Sequence, residues 1–483
     1  MDLEAIHRAM FPYAERYGVI RAFPEQGVDR ATILAQLREM AAEEDSKWEG
    51  GKVSGSIYQG EHEHYDFLNE CFGYFNHTNA LQRDMCPSMS RFESEIIAMT
   101  LDMLHAEAVP AHNPSQTPCG VLGFGGTESI MNAVLAYRNI AQERGVARPQ
   151  MIWPDTAHPA FTKGAHLFGL DVVVAPVDPV TTMVDLDFVA DNIRPETAML
   201  IGTAGNYAYG TIDPIPELSQ LAVEHGTYLH VDGCLGGFIL PWGQELGYPD
   251  IPVFDFRLPG VSSISADTHK YGYGLKGTSV LAWRDSWMRQ HHYFLQPGWK
   301  GGAYASPGLA GSRSGGLIAA SWAAMVSYGK QGYRERARRI FDTSYAMQDV
   351  VTSHPELRLM GKPTFCFSFT SDDFNIYHVN DAMVARGWRF NGQQFPDALH
   401  MAVTGPQLQP GVVDAFATDL AAAIEYAKAP DGPSPRSAAV YGASGGAEGA
   451  DPQMANFLLT LLLNAFTDGA PEPSRAPDYP AGG

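Results

Sequence analysis

Three short stretches of the chain carry residue types that could do chemistry. The first is Gly125-Gly126-Thr127-Glu128-Ser129, at the start of an apolar-periodic helix. Two glycines let a backbone approach closely, and Thr127 can cap the helix while its hydroxyl meets an oxyanion. The free N–H groups of that first turn form a phosphate cradle. An ordinary capped turn is the alternative. The second stretch is His230-Val231-Asp232, closing the strand TYLHVD, with Gly233-Cys234-Leu235-Gly236-Gly237 behind it. An aspartate there could hold a pyridine nitrogen protonated, although a metal ligand or a helix cap would read the same way. The third is Ser265-Ala266-Asp267-Thr268-His269-Lys270-Tyr271-Gly272, after the strand VSSIS. A lysine beside a histidine at a strand end is placed to form a Schiff base. Taken alone, a surface lysine is the commoner case.

The elements that must position these residues follow from hydrophobic patterning. From about residue 119 to 285, short apolar runs alternate with helical stretches. Strands are expected at 150–153, 171–176, 197–203, 227–232, 262–266 and 279–283, with helices at 127–144, 159–168 and 215–225 between them. Such alternation predicts an α/β fold with a mostly parallel sheet, whose ligands gather at the carboxyl ends of the strands. A smaller α+β domain is expected at 341–430, with strands at 356–360, 364–370 and 398–403 and helices at 378–386 and 411–427. The division is therefore an N-terminal segment (1–95), a large domain (96–340), the small domain (341–430) and a last part (431–483). That last part starts with a Pro/Gly/Ser/Ala-rich crossing segment to about 453 and ends in a loose tail from about 468. Between them, Asn456 to Phe466 (NFLLTLLLNAF) reads as a helix packed on the body of the protein, with a helix resting on a membrane as the alternative.

Order and separation decide what each stretch alone does not. A phosphate-type loop comes first, an aspartate about a hundred residues later, and a His-Lys pair about forty after that. Enzymes that use pyridoxal 5'-phosphate (PLP) on the aspartate aminotransferase fold require this order. The three together point to a PLP enzyme with Lys270 as its Schiff-base lysine.

The chain also resembles the sphingosine-1-phosphate lyases, in the group II decarboxylase branch of PLP fold type I. The resemblance runs from about residue 19 to beyond 330. Besides the three stretches, it rests on Lys52-Val53-Ser54-Gly55-Ser56-Ile57-Tyr58, Lys276-Gly277, Tyr304-Ala305-Ser306-Pro307 and Ala310-Gly311-Ser312-Arg313. It implies that Lys270 holds the cofactor and that Asp232 pairs with the pyridine nitrogen. His158 would stack on the ring, and Gly126, Thr127 and His269 would meet the phosphate. Tyr58, Lys276, Tyr304, Arg313 and Asn79 are implied around a substrate phosphate, the two tyrosines donated across a homodimer, with an interface ion pair as the alternative for Arg313. The implied reaction is retro-aldol cleavage of a phosphorylated sphingoid base to a long-chain aldehyde and ethanolamine phosphate. Lys276, Tyr209 and His158 are the candidates for its proton transfers. Three positions depart from the usual pattern: Gln82 and Tyr209 stand where histidines are common, and Gly233 replaces a common alanine. An amino-acid decarboxylase would share every cofactor residue but not the Lys276 and Tyr304–Arg313 features. A PLP-binding protein without activity is a further alternative, opposed by the intact set of Lys270, Asp232 and Thr127.

Composition narrows the classes. The formal charge of −21 disfavours nucleic acid or anionic lipid as the main partner. Five scattered cysteines with no CxxC suit neither a disulfide framework nor structural zinc, and imply a reducing cytoplasm. The N-terminus has no signal-peptide core, and no window reaches the ~20 apolar residues of a membrane span. A soluble member of this kind is what a bacterial representative would look like. The run Glu61-His62-Glu63-His64 reads as a solvated helix start rather than a metal site.

Overall fold

Apolar β-rich runs that alternate with amphipathic helices bury their surfaces when helices cover both faces of one sheet. The structure, a computed structural model, describes residues 8, 10–110, 117–432, 434–437 and 452–467. Helices α1 (Arg30–Glu49), α2 (His62–Phe75) and α3 (Pro87–Met103) precede the sheet. Its strands are β1 (Cys119–Gly123), β2 (Gln150–Pro154), β3 (Asp171–Ala175), β4 (Thr197–Thr203), β5 (Leu229–Asp232), β6 (Val261–Ala266) and β7 (Ser279–Trp283). The spatial order is β1-β7-β6-β5-β4-β2-β3. Strand β7 runs antiparallel to β1 and β6, and all other pairs are parallel. The mostly parallel α/β sheet of fold type I is therefore present. Strand β1 escaped the sequence reading because Cys-Gly-Val-Leu-Gly is short and holds two glycines, which weaken any strand signal.

Side chains alternate across this sheet and so build two cores. Leu122, Leu200, Val231 and Ile264 join one cluster, while Val121, Met199, Ile201 and Leu281 join the other. Helices α4 (Gly126–Glu143), α5 (Ala160–Phe168) and α6 (Ile215–His225) lie between the strands in sequence. A hairpin, β8 (Phe294–Gln296) with β9 (Tyr304–Ser306), then leads into the long helix α7 (Gly315–Thr352), which bends at Gly329. Helix α7 passes through residue 340, so the large and small domains share one helix where the sequence suggested a boundary.

The small domain is an antiparallel sheet in the order β10-β11-β13-β12. Its strands are β10 (Arg358–Leu359), β11 (Cys366–Thr370), β12 (Asn391–Gln393) and β13 (Ala398–Ala402), with α8 (Ile376–Val384) and α9 (Val412–Lys428) packed together beside it. The last described element, α10 (Pro452–Thr467), corrects one expectation. The sequence predicts a helix packed on the body, yet Phe457, Leu459, Leu463 and Phe466 are all exposed. An apolar run signals burial but does not say what covers it. The tail from 468, and most of the crossing segment at 430–453, lie outside the described residues.

Two smaller expectations also meet the structure. Helix α2 does start at His62, and Glu61, His62 and Glu63 face solvent, with His62 paired to Glu49 at 2.8 Å. His64 turns inward, its Nε2 2.7 Å from the Tyr273 carbonyl. All five cysteines are unpaired.

Candidate active site

The three stretches converge at the carboxyl edge of the large sheet. Asp232 ends β5 and pairs in register with Ser265 of β6, so the chain that leaves β6 toward Lys270 starts beside it. The Asp232 carboxylate is buried and accepts from the Cys234 amide at 3.0 Å and the Ser265 hydroxyl at 3.2 Å, which fixes its direction. Lys270 Nζ lies 3.0 Å from Asp267 Oδ2. Burial works to lower the Lys270 pKa, but Asp267 first, with Tyr58 and Cys234 behind it, together raise it and hold the ammonium charged. Burial likewise works to raise Asp267, and Lys270 followed by His269 brings it below the usual carboxylate range.

The glycine loop reaches this pair because it has no side chains. A Cβ on Gly126 would sit 2.9 Å from Asp267 Oδ2 and 2.7 Å from Cys234 Sγ. A Cβ on Gly125, whose φ is +102°, would lie 3.3 Å from the His269 ring. Glycine at these two positions thus brings the first turn of α4 against His269 and Asp267. Thr127 was expected to cap α4, and this is corrected: Gly125 is the N-cap and makes no side-chain bond. Glu128 closes the turn instead, accepting from the Phe124 amide at 2.5 Å and the Ala310 amide at 3.1 Å. That leaves the Gly126 and Thr127 amides without intrahelical partners and the Thr127 side chain open. His269 donates from Nδ1 to the Thr278 carbonyl at 2.6 Å, holding its ring beside the loop.

His158 and Tyr209 come from neighbouring connections. His158 Nδ1 accepts from the Ala160 amide at 3.1 Å, so in the neutral ring the proton resides on Nε2. Burial holds its pKa below the ordinary value, Asp232 opposing and Lys270 reinforcing this, which places all three within electrostatic reach. Tyr209 is buried, its amide held by Asn206 Oδ1 at 2.7 Å. Burial, then Asp155, raises the Tyr209 phenol above its usual range.

Tyr58 lies in its own chain's site, which corrects the expectation that a second subunit supplies it. Lys276 Nζ stands 4.3 Å from the centre of the Tyr58 ring, and Tyr58 also feels the charge of Lys270. The cause is backbone pairing with the small domain: Ser54 N to Arg389 O, Gly55 N to Ala402 O and Gly405 N to Tyr58 O, at 2.8, 3.0 and 2.8 Å. Lys276 keeps an open side in the single chain, but the protein crowded around its ammonium and the charge of Lys270 lower its pKa to about 8.

Arg313 and Asn79 have work elsewhere. The buried Arg313 guanidinium pairs with buried Glu93 and donates to the Leu122 carbonyl at 3.0 Å. Asn79 locks its own turn to the 312–314 segment, donating to Ser312 Oγ at 2.9 Å and accepting from the Arg313 amide at 3.2 Å. Both hold the wall of the site rather than a free phosphate. Replacing Glu93 with glutamine should strip the counter-charge from a buried arginine and cost about 3 kcal/mol of stability, read as a lower urea midpoint. An unchanged midpoint would contradict the structural role of the pair.

Asp267 and a set of buried polar atoms at the same edge join the site without a signal of their own in the sequence. Asp267 Oδ1, Asn206 Nδ2, Thr203 Oγ1 and Thr156 Oγ1 are all buried and have no hydrogen-bond partner. Buried polar groups are normally paired, so this edge is shaped for a polar ligand. A lysine, an aspartate, a glycine-rich helix start, a flanking histidine and unsatisfied donors together fit a cofactor with an aldehyde, a pyridine nitrogen and a phosphate.

Comparison with known proteins defines the class. The pyridoxal-dependent decarboxylase conserved domain matches residues 17–369. Glutamate decarboxylase of Lactobacillus brevis shares the fold, with a TM-score of 0.73 at 20% identity over 86% of this chain and 97% of that one. The cofactor is pyridoxal 5'-phosphate. Closer similarity narrows the class. The chain is 38% identical to sphingosine-1-phosphate lyase of Dictyostelium discoideum over 94% of its length and 83% of the relative's. Its identity to the Arabidopsis thaliana sphingosine-1-phosphate lyase is 40%, over 87% and 77% of the two chains. The solved Burkholderia pseudomallei sphingosine-1-phosphate lyase superposes with a TM-score of 0.89 at 59% identity, covering 95% of this chain and 99% of that one. The chain belongs to the sphingosine-1-phosphate lyase family.

Proposed function

We propose that this chain cleaves sphingosine 1-phosphate, or a related phosphorylated sphingoid base, to a long-chain aldehyde and ethanolamine phosphate. The observation that carries the reading is Lys276 stacked on Tyr58 beside Lys270, a second cationic group next to the cofactor lysine that cofactor binding itself does not require. Among the described residues, no helix is long and apolar enough to cross a membrane. We place the enzyme in the cytoplasm as a homodimer. The dimer is supported by the β8–β9 hairpin, where Phe294, Leu295 and Trp299 are exposed and leave an apolar surface for a second subunit to cover. Tyr304, on that hairpin, would reach the substrate phosphate of the neighbouring subunit.

Lys270 would hold the cofactor, Asp232 its ring nitrogen, His158 its ring face, and the Gly126 and Thr127 amides with His269 its phosphate. When bound, pyridoxal 5'-phosphate supplies an electron sink for the pair released as a bond at the amino-bearing carbon breaks. Tyr58 and Tyr304 bind the substrate phosphate and thereby turn the C2–C3 bond toward the orientation that breaks. Among the three candidates, Lys276 takes the proton from the C3 hydroxyl. Its pKa of about 8 leaves part of it neutral at physiological pH. Tyr209 is raised and resists ionisation, and the free nitrogen of neutral His158 already bears its proton. Asn206 Nδ2 and Thr203 Oγ1, buried without partners, would be available for further polar contacts to the cofactor.

A base must be deprotonated to act, so kcat should rise with pH and level off above about 8. Lys276→Met should lower kcat about a hundredfold and abolish that rising limb. A kcat/KM profile that falls above pH 8, with KM rising and kcat steady across the range, would make Lys276 a phosphate-holding ammonium. The substrate class is tested by comparing sphingosine 1-phosphate with unphosphorylated sphingosine. Comparable kcat/KM for the two would remove the phosphate from the recognition chemistry.

A further inference from the structure

Helix α10 (Pro452–Thr467) has an unusual surface. At about 100° per residue, Asn456, Thr460, Asn464 and Thr467 fall in one stripe about 80° wide. Phe457, Leu459, Leu461, Leu463 and Phe466 occupy the remaining arc. Of these, Phe457, Leu459, Leu463 and Phe466 are 58%, 49%, 63% and 49% exposed. A helix that rests on a protein body shows an apolar face of little more than a third of its circumference; this one is apolar over most of it. No acidic or basic residue lies between Pro452 and Thr467. Within the polar stripe, two hydroxyls are taken up by the helix itself, Thr460 donating to the Asn456 carbonyl at 2.8 Å and Thr467 to the Leu463 carbonyl at 3.1 Å.

We infer that α10 is an interfacial anchor that lies flat in the surface of an electroneutral phospholipid bilayer. Sixteen residues span about 24 Å, short of the ~30 Å hydrocarbon core, so the helix lies in the interface and does not cross it. Charge selects the kind of bilayer. The chain carries a formal charge of −21, and α10 offers no cation to offset it, so attachment runs on apolar insertion and gains nothing from anionic lipid. The choice of a lipid occupant rests in part on the proposed function, because a long-chain phosphorylated base partitions into bilayers and an enzyme seated there meets it at high local concentration.

The test uses the full-length protein loaded with PLP. In a flotation assay without substrate, it should rise with phosphatidylcholine vesicles, and adding phosphatidylserine should not increase the bound fraction. Leu459→Asp/Leu463→Asp should reduce binding at least about tenfold. Its turnover of a short-chain, water-soluble phosphorylated sphingoid base should be unchanged. Wild-type protein that stays with the unbound fraction, or a variant that floats equally well, overturns the inference. So does a variant that loses dimer mass in light scattering, which would make α10 a subunit contact. Vesicle binding without aldehyde production would leave the anchor standing and the lyase reading fallen, so the two failures are distinguishable.

Discussion

Lys270→Ala should lower turnover of sphingosine 1-phosphate by at least about three orders of magnitude and abolish the visible absorbance of lysine-bound cofactor. Both effects follow from the position of Nζ, 3.0 Å from Asp267 at the sheet edge and within electrostatic reach of His158. Because the alanine variant removes a buried ammonium and leaves Asp267 without its partner, a folding check belongs with the assay. Lys270→Arg keeps the positive charge but cannot form the covalent link, and it should be equally inactive while melting close to the parent. An arginine variant with substantial turnover would place the cofactor lysine elsewhere.

Asp232→Asn should lower kcat about a thousandfold while the protein still binds PLP. The carboxylate is held by the Cys234 amide and the Ser265 hydroxyl, and asparagine keeps the shape while losing the charge. Without that charge nothing at this position holds the ring nitrogen protonated, so the electron sink weakens even though the phosphate cradle is intact. The expected signature is a large fall in kcat with a modest change in PLP affinity. Equal losses in both would instead make Asp232 a structural cap, the second role considered for it from sequence.

Much of this was legible in the sequence, and the limits have physical causes. Lys270, Asp232 and His158 sit at or near strand ends, and a parallel sheet gathers such ends along one edge, so their order along the chain carried their proximity. Gly125 and Gly126 were visible as the start of an apolar-periodic helix, although the strand before them was not. The capping role given to Thr127 passed to Glu128, because that carboxylate reaches both Phe124 and Ala310, the latter far away in sequence. Arg313 belonged to a recognisable motif, but its partner Glu93 lies 220 residues away, and no local pattern records that distance. Tyr58 was assigned to a neighbouring subunit because nothing near it in sequence shows the strand-like pairing of Ser54 and Gly55 with the small domain. Asp267 stood inside the lysine motif all along, and only the turn after β6 shows its carboxylate facing Lys270. The Asn206 amide is the least legible: one end is fixed by Tyr209 and the other is left without a partner, a feature that exists only after folding.

The most direct measurement is product analysis after incubating the PLP-loaded protein with sphingosine 1-phosphate. Ethanolamine phosphate and a long-chain aldehyde should appear in equal amounts, and neither should form with Lys270→Ala. Protein that binds PLP yet yields no aldehyde, while releasing carbon dioxide from an amino acid, would contradict the lyase assignment and leave a decarboxylase in its place.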